Sequence, residues 1–295
     1  MSGEYIMKVA AIYSGEPRTY HKIVDQHNGF FKGLDVDTYH STWAHLNEQE
    51  KNKIRLAPGF KNLNEVDYNC TERPDLLQFE KLLLSKKQNH PIFMLGRIQY
   101  MTGMAFMPLF YNGEHPDIPN MNSYDYVVRM RYDFTYDGNL KDYLSNVGPH
   151  DIHITRKMGG KSSPNNIWDG FAIGTPPSMS WYFNFHRWIP FSLFNMEIYN
   201  WKFQPEFVYG IYLRLIDLNV VDCGVQPNHV YPDNRDVDWH RTERTVQYYR
   251  DLARFHPEYY THENGKLTIE NDSPTVKDFL IIDRLAKEGF SCKNV

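Results

Sequence analysis

Features that mark several common protein classes are scarce or missing in this sequence of 295 residues. Its three cysteines, Cys70, Cys223 and Cys292, have spacings that fit neither a disulfide framework nor a zinc site. The net charge of −4 provides no overall basic field to attract nucleic acid or an anionic membrane. The apolar run at residues 9–13 is too short for a signal peptide or a spanning helix, and no other window is long enough. We therefore expect a reducing compartment, most simply the cytoplasm, and no stable membrane insertion.

Several catalytic signatures are also missing. The nucleophile elbow and the HExxH, GxGxxG and CxxC patterns do not occur, which argues against most hydrolases, metalloproteases and dehydrogenases. The segment GGKS at residues 159–162 suggests a phosphate loop, but the first glycine of that motif is absent, so we reject it. Aromatic residues are abundant, with 21 tyrosines, 18 phenylalanines and 6 tryptophans. They suit clefts that hold bases or sugar rings as well as an ordinary core.

The order of predicted elements indicates an α/β fold. A buried strand at residues 8–13, a helix at 20–31 and a strand at 36–43 imply a parallel pair with a right-handed crossover. Further strands are predicted at 126–128, 152–155 and 220–222, and further helices at 47–56, 74–87, 92–110, 139–144, 179–199 and 204–218. We expect a nucleotide-binding domain over residues 1–222, with a C-terminal elaboration at 223–295 packed on it.

The stretch YDYVVRMRYDFTYD, residues 124–137, organises the sequence. A short apolar strand leads into Arg129, Arg131 and Asp133, and in a continuing strand this spacing places all three side chains on one face. Two guanidinium groups and a carboxylate at the end of a buried strand predict a polar cleft. There, arginine binds phosphate or carboxylate oxygens, and aspartate binds a divalent cation or a sugar hydroxyl. The alternative is a row of ion pairs on a solvated sheet face.

Other candidate binding residues follow the first two strands. Ser14, Gly15 and Arg18 belong to a turn whose backbone N–H groups and arginine suit a base or a phosphate. An ordinary tight turn is the alternative. His40 and Trp43 end the second strand, where they either line a nucleoside pocket or are simply buried.

Three later residues are candidates for catalysis or metal binding. Asp169 follows a polar, glycine-rich loop, where a base that deprotonates an acceptor hydroxyl would be accessible, although a loop-capping carboxylate is the alternative. Glu206 is either a second candidate base or a carboxylate in the first turn of a helix. His229 could complete a metal site with Asp133, although a single histidine in a loop is more often no ligand.

Taken in order, the segments SGEPR, TYHSTW, RMRYD, WDGFAIG and PE resemble a family of small soluble glycosyltransferases of bacterial polysaccharide loci, phages and large viruses. The resemblance covers residues 8–222. It implies a GT-A-like fold, a Rossmann-type sandwich with a mainly parallel sheet and helices on both faces, followed by a helical or irregular C-terminal elaboration. It also implies transfer of a sugar from a nucleotide-sugar donor to a hydroxyl of a glycan, or of a hydroxymethylated or glycosylated DNA base. Candidate donors are UDP-, GDP- and CMP-sugars.

At the position of the usual GT-A signature, Asp-x-Asp, this sequence reads Arg131-Tyr132-Asp133, with one carboxylate instead of two. Two arrangements stay open. Asp133 binds Mn²⁺ or Mg²⁺ at the diphosphate, or Arg129 and Arg131 neutralise the leaving group without a metal. In both, fixed positive charge meets the negative charge that grows on the departing nucleoside diphosphate.

Two other functions fit the same residues. One is a non-catalytic protein that binds a nucleotide-sugar or a carbohydrate. The other is a metal-dependent nucleotidyl or phosphoryl transferase that combines Asp133 with Asp137 or Asp169. A DNA acceptor would require a basic groove. Its candidate residues are Lys157, Lys161, Arg187, Arg235, Arg241 and Arg244.

Overall fold

The computed structural model describes residues 5–17, 19–67, 69–85, 95–110, 120–156, 167–189, 205–230, 262–263 and 266–267. The chain divides into two compact units, one made of residues 1–79 and 95–232 and the other of residues 80–94 and 233–295. The boundary expected after residue 222, between a nucleotide-binding domain and a C-terminal elaboration, stays a prediction.

A seven-stranded sheet forms the centre of the first unit. Its strands are β1 (Lys8–Ser14), β2 (Asp35–Trp43), β3 (Phe60–Val66), β4 (Tyr126–Met130), β6 (Asp151–Arg156), β7 (Ile167–Gly174) and β8 (Asn219–Asp222). Their order is β3-β2-β1-β4-β7-β6-β8. Within this sheet only β7 runs against its neighbours β4 and β6, and the other pairs are parallel. The predicted α/β class with a mainly parallel sheet is confirmed.

Helices cover both faces of the sheet. On the first, here named the α1 face, lie α1 (Tyr20–Phe30), α2 (Glu48–Arg55) and α5 (Leu140–Leu144), whose apolar residues join one buried cluster with β1 and β4. On the opposite face, named the α4 face, lie α4 (Leu95–Phe110), α6 (Pro176–Phe183) and α7 (Pro205–Leu215). A further helix, α3 (Pro74–Ser85), precedes α4. Among the described residues, no helix has the length and apolarity needed to span a bilayer.

β1 lies inside the sheet and is buried on both sides. Val9, Ala11 and Tyr13 contribute to the cluster on the α1 face, and the alternate residues Ala10 and Ile12 point to the α4 face. A strand covered on both faces needs a continuous apolar run, which explains why its sequence predicts it so clearly.

Three strands differ from the predicted elements. β3 occupies a segment for which no strand was expected. Among the strands that the structure describes it pairs with β2 alone, at the edge of the sheet, and its sequence FKNLNEV is mostly polar. β7 was not assigned as a strand, and β9 (Pro227–His229) lies where irregular chain was expected. β9 pairs with β5 (Phe134–Tyr136) in a separate antiparallel ladder.

Helical predictions are mostly close to the structure. The helix predicted at residues 179–199 begins earlier, as α6 at Pro176, and a further helical segment covers residues 185–189. The loop at 157–166 and most of the chain after residue 230 lie outside the described residues. In the second unit, β10 (His262–Glu263) pairs antiparallel with β11 (Lys266–Leu267).

Candidate functional site

The turns that follow β1 and β4 are in direct contact at the edge of the sheet where parallel strands end, named here the carboxyl edge. The Thr19 hydroxyl donates to the backbone oxygen of Tyr132 over 2.9 Å. Gly15 has φ +124°, a conformation that L residues rarely adopt, and a Cβ placed on it would lie 3.8 Å from the Tyr132 ring. The structure therefore brings the SGEPR segment and the RMRYD segment together.

The turn after β4, named the RYD turn (Arg131, Tyr132 and Asp133), contains a bidentate ion pair. Arg131 Nε and Nη2 donate to the two carboxylate oxygens of Asp133, each over 2.8 Å. The side chains are 28% and 25% exposed, and the guanidinium lies 5.1 Å from the centroid of the Phe134 ring. This pairing fixes the direction of both charged groups.

Arg129 is separated from that pair because β4 ends at Met130. Val128 and Met130 point into the cluster on the α1 face, so Arg129 between them points to the α4 face, in register with Ile12 and Ala172. Only 3% of it is exposed. Its Nη1 donates to the backbone oxygen of Met130, and its Nε has no hydrogen-bond partner. Among the described residues no carboxylate pairs with it. The single row of three charged side chains that a longer strand predicts does not form.

Two distant segments hold the RYD turn from opposite sides. The Tyr136 hydroxyl accepts from the Arg131 backbone N–H over 3.2 Å and donates to the Gly170 backbone oxygen over 3.1 Å. Asp169 precedes Gly170 in β7, so its backbone lies at this edge. On the other side the Val230 N–H donates to the Asp133 backbone oxygen over 2.8 Å.

The same contacts bring the predicted metal ligands close in the backbone. β9 pairs with β5 so that His229 lies opposite Phe134, next to Asp133. The side chains of Asp169, Glu206 and His229 lie outside what the structure describes, and Arg18 lies outside it altogether. Within the described residues, no three His, Cys, Asp or Glu side chains are grouped to bind a metal.

Removing the Tyr136 hydroxyl is expected to destabilise the RYD turn. Tyr136→Phe leaves the Arg131 N–H and the Gly170 oxygen without their shared partner, so we expect the free energy of unfolding to fall by about 1–3 kcal/mol. Urea unfolding measures the change. The control is Tyr126→Phe in β4, whose hydroxyl has no hydrogen-bond partner among the described residues, and we expect at most about 0.5 kcal/mol there. Equal losses in the two variants would contradict the assigned role.

A buried cluster of tyrosines and histidines supports the turn on the α1 face. The Tyr132 ring stacks on Tyr13 and His40 at centroid distances of 5.5 and 5.8 Å, and Tyr20 meets it edge-on at 5.2 Å. His40 is wholly buried, and burial lowers its pKa to about 3, so the imidazole is neutral at pH 7. His40 therefore positions Tyr132 and is not exposed to a ligand.

The proton positions of His27 follow from its partners. Its Nε2 lies 2.6 Å from the Phe134 backbone oxygen, which can only accept, so Nε2 carries the proton. Nδ1 then accepts from the Tyr13 hydroxyl, 3.0 Å away. Burial lowers the pKa of His27 to about 4, consistent with this neutral tautomer. The bonds of His27 link α1, β1 and β5 beneath the RYD turn.

The polar groups at the end of β1 are already bonded within the protein. Ser14 donates its hydroxyl proton to Thr102, 2.7 Å away, because the Thr102 hydroxyl itself donates to Ile98. The Gly15 N–H donates to the Ser41 backbone oxygen over 3.2 Å. In this conformation neither group is available to hold a phosphate.

Two other predicted residues lie in the surrounding elements. Trp43 ends β2 opposite Val66 of β3 and is 4% exposed, so it is packed within the protein. Glu206 lies in the first turn of α7, which packs against β7 and β8. The roles predicted for these residues, like those of the other candidate site residues, stay predictions.

Sequence analysis missed the residues that shape the turn. Tyr13, Tyr132, Tyr136 and His27 make its supporting contacts, yet none of them was a candidate. The available signal was that three tyrosines with polar hydroxyls stand at the ends of short apolar strands, where a buried hydroxyl needs a partner.

No protein-family model matches this chain, and no curated protein matches it. Comparison with solved structures finds the galactosyltransferase LgtC in complex with donor and acceptor sugar analogues (TM-score 0.40) and an active-site mutant of LgtC (0.42). Each is 11% identical, and the match covers 70% of both chains. The apo form of the glycosyltransferase GlyE of Streptococcus pneumoniae TIGR4 has a TM-score of 0.41 and 9% identity, with 97% of this chain and 64% of GlyE covered. This chain therefore spans less than two thirds of GlyE. Similarity at this level does not assign a family or an activity.

Proposed function

We propose that the protein is a glycosyltransferase that moves a sugar from a nucleotide-sugar donor to a hydroxyl acceptor. The observation that carries the proposal is the RYD turn at the carboxyl edge, where a partly exposed Arg131–Asp133 pair lies two residues after the buried Arg129. In open α/β sheets, ligands bind at the carboxyl ends of the strands. The strand order, with β7 alone reversed beside β4, is compatible with the GT-A-like sheet that the motifs predict.

Arg129 and Arg131 are proposed to bind the diphosphate of the donor. Arg129 is buried without a counter-charge among the described residues, which is costly unless an anion compensates it. Arg131 can turn one N–H from Asp133 towards a phosphate oxygen, because a guanidinium has five donors. Both charges are fixed before the reaction, so they stabilise the negative charge that develops on the leaving group.

Asp133 and His229 are proposed to hold Mn²⁺ or Mg²⁺. The carboxylate suits Mg²⁺ and Mn²⁺, and the imidazole of His229, at an adjacent backbone position, would add a nitrogen ligand. A bound cation would supply further positive charge at the diphosphate. Through its bond to Arg131, Asp133 also orients a guanidinium when no cation is present.

Asp169 is proposed as the base that takes the proton of the acceptor hydroxyl, or as a sugar-binding carboxylate. The support is the position of β7, whose Gly170 is tied to the RYD turn through Tyr136. Glu206 is the second candidate, from the α4 face. We propose a glycan as the acceptor. A modified DNA base is the alternative, which retardation of modified and plain duplex in gels at rising salt would reveal.

The test is a thermal-shift screen of UDP, GDP and CMP, with and without Mn²⁺. A nucleotide present at a hundred times its Kd raises the unfolding midpoint by roughly 5 °C. We expect one nucleotide to do so, and Asp133→Asn to remove the Mn²⁺-dependent part of the shift. The matched control is Asp142→Asn, an exposed residue of α5, which should keep the full shift.

The proposal fails if no nucleotide raises the midpoint with or without Mn²⁺. Where one does, incubation with the corresponding nucleotide-sugar separates an enzyme from a protein that only binds. Release of the nucleotide indicates turnover, and a shift without release indicates binding alone.

A further inference from the structure

A cavity with a volume of about 370 Å³ lies on the α1 face, beside the tyrosine cluster that supports the RYD turn. Its walls are Tyr13 of β1, Tyr20 and the second half of α1, residues 31–34, the first half of β2, and Pro58 and Gly59 before β3. From Tyr13 and Tyr20, which contact the Tyr132 ring, the cavity extends to the start of β2, the end of that strand opposite the carboxyl edge. Its volume lies within the range of small-molecule sites.

The interior combines flat rings with one hydroxyl that lacks a partner. Tyr13, Tyr20 and Phe31 supply aromatic surface. Tyr20 is 2% exposed, and its hydroxyl has no hydrogen-bond partner among the described residues. Burial raises the pKa of Tyr20, so the hydroxyl keeps its proton and can donate it. Because Tyr20 lines the cavity, its hydroxyl can donate to a ligand held there.

The mouth of the cavity carries positive charge. Lys32 is exposed, and within the described part of the chain no carboxylate pairs with its ammonium group. Asn28 is also exposed at the mouth and offers an amide. A ligand with a ring inside and an anionic group outside would satisfy Tyr20 and Lys32 together.

The walls are held in place by backbone contacts. Gly59 has φ +67°, and a Cβ there would lie 2.1 Å from the Val36 backbone oxygen, so this turn is pressed against β2. Both ring nitrogens of His27 are already bonded, to Tyr13 and Phe134, which fixes the wall that α1 provides. A cavity between a rigid sheet and a tethered helix cannot easily collapse.

We propose that this cavity is a second ligand site, which binds a small planar ring carrying one carboxylate or phosphate group. The ring packs between Tyr20 and Phe31 and accepts a hydrogen bond from Tyr20. The anionic group pairs with Lys32. The lining of this site includes none of Arg129, Arg131 and Asp133, so the proposal does not depend on the function proposed above.

A chain of hydrogen bonds leads from this cavity to the RYD turn. Thr38, in the cavity wall, donates to the Pro58 oxygen over 3.4 Å, so it accepts from His40 Nε2, 2.9 Å away. His40 Nδ1 then accepts from the Tyr132 hydroxyl over 3.1 Å. An occupant that displaces Thr38 or Pro58 changes the bond that positions Tyr132. We therefore extend the proposal to coupling between the ligand and the donor site, a step that rests on the proposed function.

The first experiment uses nicotinate, 3-pyridyl phosphate and neutral nicotinamide as probes of the full chain, because their pyridine nitrogen can accept a hydrogen bond, and binding is measured by ligand-observed NMR titration. We expect nicotinate or 3-pyridyl phosphate to bind at millimolar concentration and nicotinamide more weakly. The stronger of the two anions identifies the anionic group. Lys32→Gln and Tyr20→Phe should each weaken binding of the anion about fivefold. The control Lys53→Gln, at an exposed position of α2, should leave it unchanged.

Binding of the anion should persist in Arg129→Met, which alters only the proposed donor site. The proposal is overturned if neither anion binds, if Lys32→Gln and Tyr20→Phe both bind like the original chain, or if Arg129→Met abolishes binding. Since these measurements involve no nucleotide, they stand even if the glycosyltransferase proposal fails.

The second experiment tests the coupling. The affinity for the nucleotide found in the thermal-shift screen is measured with and without the bound anion. We expect a change of about threefold or more in the original chain and none in Tyr132→Phe, which lacks the hydroxyl at the end of the chain of bonds. An unchanged affinity in the original chain would overturn the coupling.

Discussion

Replacing Arg129 by methionine is expected to make the protein more stable and, at the same time, unable to bind its nucleotide. The guanidinium is 3% exposed, its Nε is unbonded, and no carboxylate of the described residues compensates its charge. An apolar side chain of similar length removes that cost. We therefore expect the free energy of unfolding to rise by about 1–3 kcal/mol. Urea unfolding of the ligand-free protein measures the gain.

The same substitution removes a fixed positive charge from the proposed diphosphate site. We expect the thermal shift caused by the nucleotide to fall below detection, because a charge pair in a site shielded from water is worth several kcal/mol. The matched control is Arg187→Met at an exposed position, which should change stability by at most about 0.5 kcal/mol and keep the nucleotide shift. A less stable Arg129→Met protein that still binds nucleotide would assign Arg129 a structural role only.

Acidification from pH 7 to pH 5 is expected to remove much of the stability of the fold. Burial lowers the pKa of His27 to about 4, of His40 to about 3 and of His186 to about 4. In the unfolded chain these groups have a pKa near 6.5. Between pH 6.5 and pH 4 the unfolded state therefore binds protons that the folded state does not, and stability falls as the pH falls. At pH 5 each histidine costs about 2 kcal/mol, which together approaches the total stability of an ordinary domain.

The variant His27→Gln tests this explanation. Glutamine can still donate to the Phe134 oxygen but does not titrate, so the difference in unfolding free energy between pH 7 and pH 5 should shrink by about 2 kcal/mol. The variant is expected to be less stable at pH 7, which does not affect this difference. The exposed His150→Gln serves as control and should lose as much stability as the original chain. A pH dependence that His27→Gln leaves unchanged would show that other groups cause the acid transition.

Sequence alone predicts the elements whose own pattern of apolar and polar residues shows how they are buried. β1, α1 and β2 were predicted because a continuous apolar run, a turn and an amphipathic helix follow one another, and their parallel pairing follows from the crossover rule. β3 was missed because an edge strand with one neighbour can keep polar side chains on exposed positions. The sequence FKNLNEV therefore lacks the period of a buried strand.

The end of β4 could not be predicted because contacts far away in the sequence determine it. The RMRYD spacing predicts a continuing strand, but Tyr132 is drawn into the cluster with Tyr13 and His40, and the chain turns at that point. The Arg131–Asp133 pair forms despite this turn because only one residue separates its two members and the arginine side chain is long. The isolation of Arg129 follows from the turn, and only the structure reveals it.

The two supports of the RYD turn, from β9 and from β7, also determine when the site can form. β5 pairs with β9, and Thr135 and Asn228 of this ladder are 93 positions apart in the chain. The other support, the hydrogen bond from Tyr136 to Gly170, requires β7. A ribosome must therefore release more than two thirds of the polypeptide before the last support reaches the turn. The sheet around β1 and β2 can assemble earlier from neighbouring segments, so during synthesis the RYD turn, which is proposed to act on substrates, becomes ordered later than these strands.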